Sequence, residues 1–230
     1  MGAPAVRRRP GLGPRPGMMG TAGADWSPMS TAPCVRKATY ADVDRLAGAL
    51  ARAFDDDPVM THLWPDAARR RAVLPAFFGA ELHKVHLPLD EVWITHDLAS
   101  GALWDPPGRW RLGIGGQIRL LPTMIRLFGA GLARASATLA VAESKHPKVP
   151  EHYYLAVLGT DTERQGQGLG SAALAPVLEK CDLQGVPAYL ESSKETNVPF
   201  YRRHGFEVSE EFRLGRNGPP IWGMWREPAG

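Results

Sequence analysis

Apolar and polar positions alternate along this chain in two ways, with a period of two over short runs and a period near 3.6 over longer ones. Residues 34–39 (CVRKAT) predict a short strand. Behind Thr39, a residue suited to capping a helix, Val43, Leu46, Ala47, Leu50 and Phe54 recur at helical spacing until DDDP closes the run. A second helical pattern spans 69–87 through Val73, Phe77, Leu82 and Val85. EVWITHD and SGALWDPP predict paired strands turning around 98–101 and stopped by prolines. Residues 109–146 are long, apolar and helical, with breaks expected at Pro122 and at the glycines near 129–131.

From 152 onward the pattern is sharper. HYYLAVLGT (152–160) predicts a strand, 168–184 a helix ended by Gly185 and Pro187, and AYLES (188–192) a buried strand. Pro176 lies inside that helix, where it removes one hydrogen bond, so a kink is expected there and not a break. ETNVPFYRRH predicts a short helix, and GFEVSEEFRL with PPIWGMWRE a closing antiparallel pair. There is no internal repeat. Strand, helix, strand, helix, strand in this closing stretch describes an α/β arrangement with one parallel crossover.

Charge sharpens the domain limits. The net charge of +3 resides ahead of position 31, where Arg7, Arg8, Arg9 and Arg15 face only Asp25, so the rest of the chain sums to zero. A folded face for nucleic acid needs clustered basic groups, so no nucleic-acid partner is expected. Residues 1–32 are dense in Gly and Pro and lack an apolar period, which predicts a disordered tail or a start placed upstream of Met18, Met19 or Met29. They also lack the apolar stretch of a secretory signal. Residues 33–228 are then expected to form one domain, with a long helical stretch inserted at about 105–150. No run approaches the ~18 apolar residues of a membrane span, so no membrane is expected. Cys34 and Cys181 show no metal or redox spacing, which suits a reducing cytosol and a cytoplasmic protein. His83 and His86 are three apart without a third ligand nearby, so no metal is expected. His152, alone ahead of its strand, reads as a surface histidine.

The chemistry-bearing stretch is QGQGLG (165–170), between a predicted strand and a predicted helix. Amides at a helix start, reached over glycines without Cβ atoms, form a site for phosphate. The spacing is not that of a dinucleotide fold, and no Lys-Ser/Thr follows as in a P-loop.

VLGTDTERQGQGLGSAAL resembles the acetyl-CoA loop of the GCN5-related N-acetyltransferases (GNAT), with Gln165, Gly168 and Gly170 on its fixed positions. YLESSKETNVPFYRRHGFEV resembles the family's second signature through Asn197, Phe200, Tyr201, Gly205 and Phe206. LWDPPG, HYYL and GPPIWGMWREP extend the likeness to the branch containing puromycin N-acetyltransferases, over roughly 33–228. Thr160 and Thr162 depart from the usual apolar residue and proline, but neither removes a backbone N–H.

The resemblance implies a mixed, mostly antiparallel twisted sheet with a parallel, splayed central pair, flanked by helices. It implies acetyl-CoA as co-substrate, held by Leu158, Gly159, Thr160, Gln165, Gly166, Gln167, Gly168, Leu169, Gly170, Asn197 and Tyr201. It also implies direct acetyl transfer to an amine, without an acyl-enzyme. Tyr201 matches the family's general acid, and Glu191, ending a buried strand near the expected thioester, is the candidate base, with water as an alternative proton relay. The expected acceptor is a small-molecule amine, such as an antibiotic or other natural product, and the expected state a monomer or homodimer. A protein or peptide amine, or an idle acyl-CoA sensor, are the other readings. The acceptor end is expected near 54–66 and 105–150, where FDDDPVMTHLWPD sets acidic beside aromatic residues.

Overall fold

The computed structural model describes Gly2 and residues 33–230; apart from Gly2, the expected tail at 1–32 lies outside the described residues. From residue 33 the chain builds a seven-stranded sheet in the order β1-β2-β3-β4-β5-β7-β6. β1 (Val35–Lys37), β2 (Val92–Thr95), β3 (Ser100–Asp105) and β4 (Tyr153–Thr160) are antiparallel neighbours. β4 and β5 (Ala188–Ser192) run parallel. β7 (Pro220–Arg226) pairs antiparallel with both β5 and β6 (Glu207–Arg213). The mixed, mostly antiparallel sheet with one parallel pair is the architecture the resemblance implied.

The central strands are covered on both faces. α6 (Leu169–Gln184) makes the crossover between β4 and β5 and lays Ala173, Leu174, Val177 and Cys181 on Tyr153, Leu155, Ala188 and Leu190. α1 (Val43–Ala53) and α3 (Ala67–Ala80) cover the other face, packing Leu46, Leu50, Leu74 and Phe78 on Ile94 and Leu103. Leu103 joins this second core while its neighbours Ala102 and Trp104 join the first, as the two-residue period of a doubly covered strand requires.

Several local expectations change. DDDP does not simply end α1: Asp57 caps a further helix, α2 (Pro58–Leu63), whose proline stands in the first turn where its missing N–H costs nothing. α3 starts two residues before the expected 69, capped by Asp66, whose Oδ1 accepts from Arg69 N at 2.7 Å. It continues as a π-helical turn, Glu81–His86, and a 3-10 turn, Leu87–Leu89.

Pro122 was expected to break the helical insertion but lies within α4 (Ile114–Phe128). The residue is exposed, so the carbonyl it leaves unpaired can face water. The interruption falls at the glycines, where a 3-10 turn, Gly129–Gly131, precedes α5 (Leu132–Lys145). By length and composition Ile114–Lys145 is apolar enough to cross a membrane. The glycine turn, however, divides it into helices of 15 and 14 residues, each shorter than the ~20 a span needs. α6 runs unbroken through Pro176.

Candidate active site

Pairing between β4 and β5 is confined to Tyr153, Tyr154 and Leu155 against Ala188, Tyr189 and Leu190. At that point β4 bulges: Leu103 opposes Val157 and Trp104 opposes Leu155, leaving Ala156 as the extra residue. Beyond it the two strands no longer pair, and a cavity of about 610 Å³ opens between them. Its wall includes Leu158, Gly159, Thr160, Gln165, Gly166, Gly168, Leu169, Gly170, Glu191, Asn197 and Tyr201, together with Phe54 and Asp57. Gln167 is not on that wall; it is exposed and accepts from Arg164 Nε at 3.1 Å.

The glycine loop forms one rim. Gly166 and Gly168 have φ of +75° and +76°, the left-handed region that favours glycine, and a Cβ on either would meet nothing within 4 Å. The first bond of α6 runs from Ala172 N to Gly168 O at 3.0 Å, so the amides ahead of Ala172 have no acceptor inside the helix. Those amides carry the positive end of the helix dipole. A Cβ on Gly170 would touch Phe200 and Thr160 Oγ1 at 3.5 Å, which places the loop directly against α7 (Val198–Arg202). Gln165 Nε2 donates to Thr160 O at 3.2 Å and ties the loop back to the end of β4. Open space, unpaired amides and positive dipole together fit a diphosphate.

Tyr201 stands on α7, buried, with its ring edge-on to Phe200 at 5.2 Å and to Phe206 at 6.1 Å. Burial, and then the Asp57 charge, push its phenol above the ordinary value, so it is protonated throughout the physiological range. Asn197 closes the 3-10 turn before α7 and is exposed toward the cavity. Glu191 is held on β5 by its pairing with Gly223 of β7, and Tyr189 Oη donates to its Oε1 at 3.4 Å. Burial raises its carboxyl to about 7 despite that hydrogen bond.

Sequence reasoning did not single out Asp57. Its buried carboxylate accepts from Val59 N at 2.8 Å and Met60 N at 3.1 Å through Oδ1, and from Ser193 Oγ through Oδ2. Burial raises its pKa, with these bonds and Lys194 opposing. The legible signal was an aspartate directly ahead of a proline that starts a helix.

His152 was expected on the surface and is instead buried, 2% exposed. It pairs with His146, Nε2 to Nε2 at 3.0 Å, and its Nδ1 lies 2.9 Å from Pro150 O. His146 is also buried and lies with Nδ1 3.8 Å from Glu191 Oε1. His83 and His86 do not converge: His83 meets Tyr40 edge-on, while buried His86 contacts Asp105 Oδ1 at 2.8 Å and Glu81 Oε2 at 3.5 Å. Among the described residues no group of three or more His, Cys, Asp and Glu is arranged to hold a metal.

Residues 133–225 match the family model described as an acetyltransferase (GNAT) domain. The chain is 28% identical over 206 residues to an uncharacterized N-acetyltransferase of Schizosaccharomyces pombe, covering 81% of this chain and 80% of that protein. A solved structure described as histone acetyltransferase HPA2 and related acetyltransferase, from Corynebacterium glutamicum, superposes with a TM-score of 0.67 at 27% identity, covering 86% of this chain and 98% of the other. An N-acetyltransferase from Staphylococcus aureus Mu50 has the same fold, with a TM-score of 0.59 at 17% identity over 84% of this chain and 99% of the other.

Proposed function

Starting from a chain that carries a GNAT acetyltransferase domain and is an N-acetyltransferase, we propose that it moves the acetyl group of acetyl-CoA directly to the amine of a small molecule. The observation that carries this reading is the cleft between β4 and β5, which has Glu191 and Tyr201 on its wall and the glycine loop at its rim. GNAT enzymes use acetyl-CoA, and the loop's open amides suit its diphosphate. When bound, that co-substrate supplies an activated acyl carbon and a thiolate leaving group.

The chain's own groups divide the remaining work. Glu191, with a carboxyl near 7, accepts the proton of the attacking amine. Amides of β4 past Leu155, on the edge no longer paired to β5, are donors for the negative charge that develops on the acyl oxygen. Tyr201, protonated throughout the physiological range, is the donor placed to hydrogen-bond the departing thiolate and protonate it, and its raised phenol makes it a weaker acid for that step than a free tyrosine. No cysteine nucleophile enters the scheme: Cys181 is on the buried face of α6, with its thiol raised to about 12.

The helical insertion borders the acceptor end of the cleft. α4 carries Leu127 and Phe128 onto Trp64, whose ring stacks on Phe128 at 4.5 Å. α5 packs Val141 and Ala142 on Phe212, Leu214 and Ile221, and Lys145 pairs with Glu210 of β6. The insertion thus runs from α2 to the β6–β7 hairpin, where Pro58, His62, Arg134 and Pro219 line a separate open cavity of about 750 Å³. A peptide amine is the second reading, favoured by the description of the Corynebacterium glutamicum relative. The test offers acetyl-CoA with apolar cationic amines, puromycin among them, and with histone-like peptides, while free thiol is followed. Higher specificity constants for peptides reverse the ordering, and a rate of thiol release that no amine or peptide raises above the acceptor-free rate refutes the proposal. Tyr201→Phe should lower kcat about 100-fold with little change in acetyl-CoA affinity; turnover near wild type removes the acid role.

A further inference from the structure

The cavity wall ends at Glu191, but the polar chain behind it does not. His152 Nδ1 faces the carbonyl oxygen of Pro150 at 2.9 Å. A carbonyl only accepts, so Nδ1 carries the proton and, in the neutral ring, Nε2 is bare. That bare nitrogen faces His146 Nε2 at 3.0 Å, so His146 donates there and its own Nδ1 is bare. The bare Nδ1 lies 3.8 Å from Glu191 Oε1. One backbone carbonyl therefore sets the tautomers of two rings and aims a lone pair at the candidate base.

The rings have no freedom to answer otherwise. Trp110 stacks on His146 with centroids 3.9 Å apart, and Tyr154 and Tyr189 meet it edge-on at 4.7 and 5.1 Å. Trp225 of β7 meets His152 at 5.1 Å. Both rings are held neutral, His146 down at about 3, by burial first and for His146 also by its neighbour. The contact with Glu191 is therefore not an ion pair.

We propose that His146 is a positioning residue: its bare Nδ1, locked by His152 and the Pro150 carbonyl, accepts the hydrogen bond of protonated Glu191 and so stabilises that carboxyl while it carries the proton taken from the amine. The inference rests on Glu191 being the base. Ionised, Glu191 meets a lone pair and no donor at Nδ1; protonated, it donates to that nitrogen and the gap between them closes to hydrogen-bond length. The proton remains on the carboxyl oxygen and no bond to His146 nitrogen forms. Stabilising only the protonated form makes Glu191 a stronger base than burial alone would.

The other ionisable groups facing this pair are Tyr154 of β4 and Tyr189 of β5. Asp105 and Glu81, beside His86, act on Tyr154, and Glu210 of β6 acts on Tyr189.

The test titrates the carboxyl carbon of Glu191 by 13C NMR in the full chain and in His146→Phe, which keeps the ring and removes its nitrogens. The expected result is a midpoint lower by about one pH unit in the variant, a smaller fall in His152→Phe, and kcat about three- to tenfold lower. If a single variant fails to fold, the double His146→Phe, His152→Phe removes both members of the pair, leaves neither nitrogen orphaned, and should show the same fall. In the wild type, 15N shifts should report Nδ1–H on His152 and Nε2–H on His146. An unmoved Glu191 midpoint, or the opposite tautomers, overturns the proposal. Glu191→Gln separates the two readings: full activity in that variant refutes the base itself, whatever the midpoint does, whereas an impaired Glu191→Gln beside an unmoved midpoint refutes only the role of His146.

Discussion

His86 provides the sharpest test of the buried electrostatics. It is 3% exposed at the π-helical turn after α3, and two carboxylates, Asp105 at 2.8 Å and Glu81 at 3.5 Å, flank its ring. Burial alone would depress its pKa, but the hydrogen bonds and charges of Asp105 and Glu81 outweigh that and hold it at about 9. Unfolded, the imidazole titrates near 6.5. The folded chain therefore binds a proton that the unfolded chain releases first, so this contribution is complete below about pH 6.5 and is lost as pH rises through about 9. The gap of 2.5 between about 9 and 6.5, at about 1.4 kcal/mol per unit, sets an upper bound of roughly 3–4 kcal/mol. For a domain of about 200 residues this corresponds to a Tm lower by at most roughly 6–16 °C.

Urea unfolding followed by tryptophan fluorescence at intervals from pH 6 to 9.5 measures it, as a midpoint that falls while the slope m stays constant. Glu191, whose raised carboxyl is largely ionised above about 7, adds little in the upper part of that range. His86→Gln should be less stable at pH 6, because two carboxylates lose their cation, but should lose most of the slope between 6.5 and 9. A wild-type midpoint flat across that range, or an equal slope in His86→Gln, would refute a protonated His86.

Substitutions at two further positions test the rim of the cleft. Gly168→Ala places a methyl in open space at φ +76°, so it should cost about 1–2 kcal/mol of stability and keep thermal protection by acetyl-CoA, whereas Gly168→Asp should abolish that protection by setting a carboxylate in the anion cradle; equal protection of both variants would remove the diphosphate assignment. Asp57→Ala loses the cap of α2 and the partner of Ser193, an expected loss of about 2 kcal/mol read as a lower urea midpoint, while Asp57→Asn keeps the cap, relieves a buried charge and should cost well under half as much. Equal losses in the two would mean that charge, not capping, holds α2.

What the sequence made legible was whatever repeats locally or sits at fixed spacing. From position 152 onward, alternating strands and a glycine-led helix come in an order that admits few topologies, and the two signature stretches share one cavity wall. α2 escaped because six residues carry too little period, and only the Asp-Pro pair marks its start. Pro122 misled because the break it predicts depends on whether the freed carbonyl reaches water, a property of the folded surface. His146 and His152 escaped for a different reason. Six residues apart across a loop, they share no face of any element, and only the turn through Pro150 brings their rings together.

The sheet explains why the candidate base can be both rigid and open to the cleft. β5 has two edges, and they part company at Leu190. Toward β4 the pairing stops there, which leaves the cleft. Toward β7 it continues through Glu191 with Gly223 and Ser192 with Trp222, so the backbone under Glu191 stays fixed while its other edge is free. Gly223 contributes more than its backbone. A Cβ at that position would stand 2.7 Å from Tyr189 Oη, where no real Cβ could remain. Glycine opposite Glu191 is therefore what lets the Tyr189 phenol lie across β7 and reach Oε1. The carboxylate is thus oriented from the strand that pairs and used from the side that does not, and a single parallel crossover within a mostly antiparallel sheet supplies both sides.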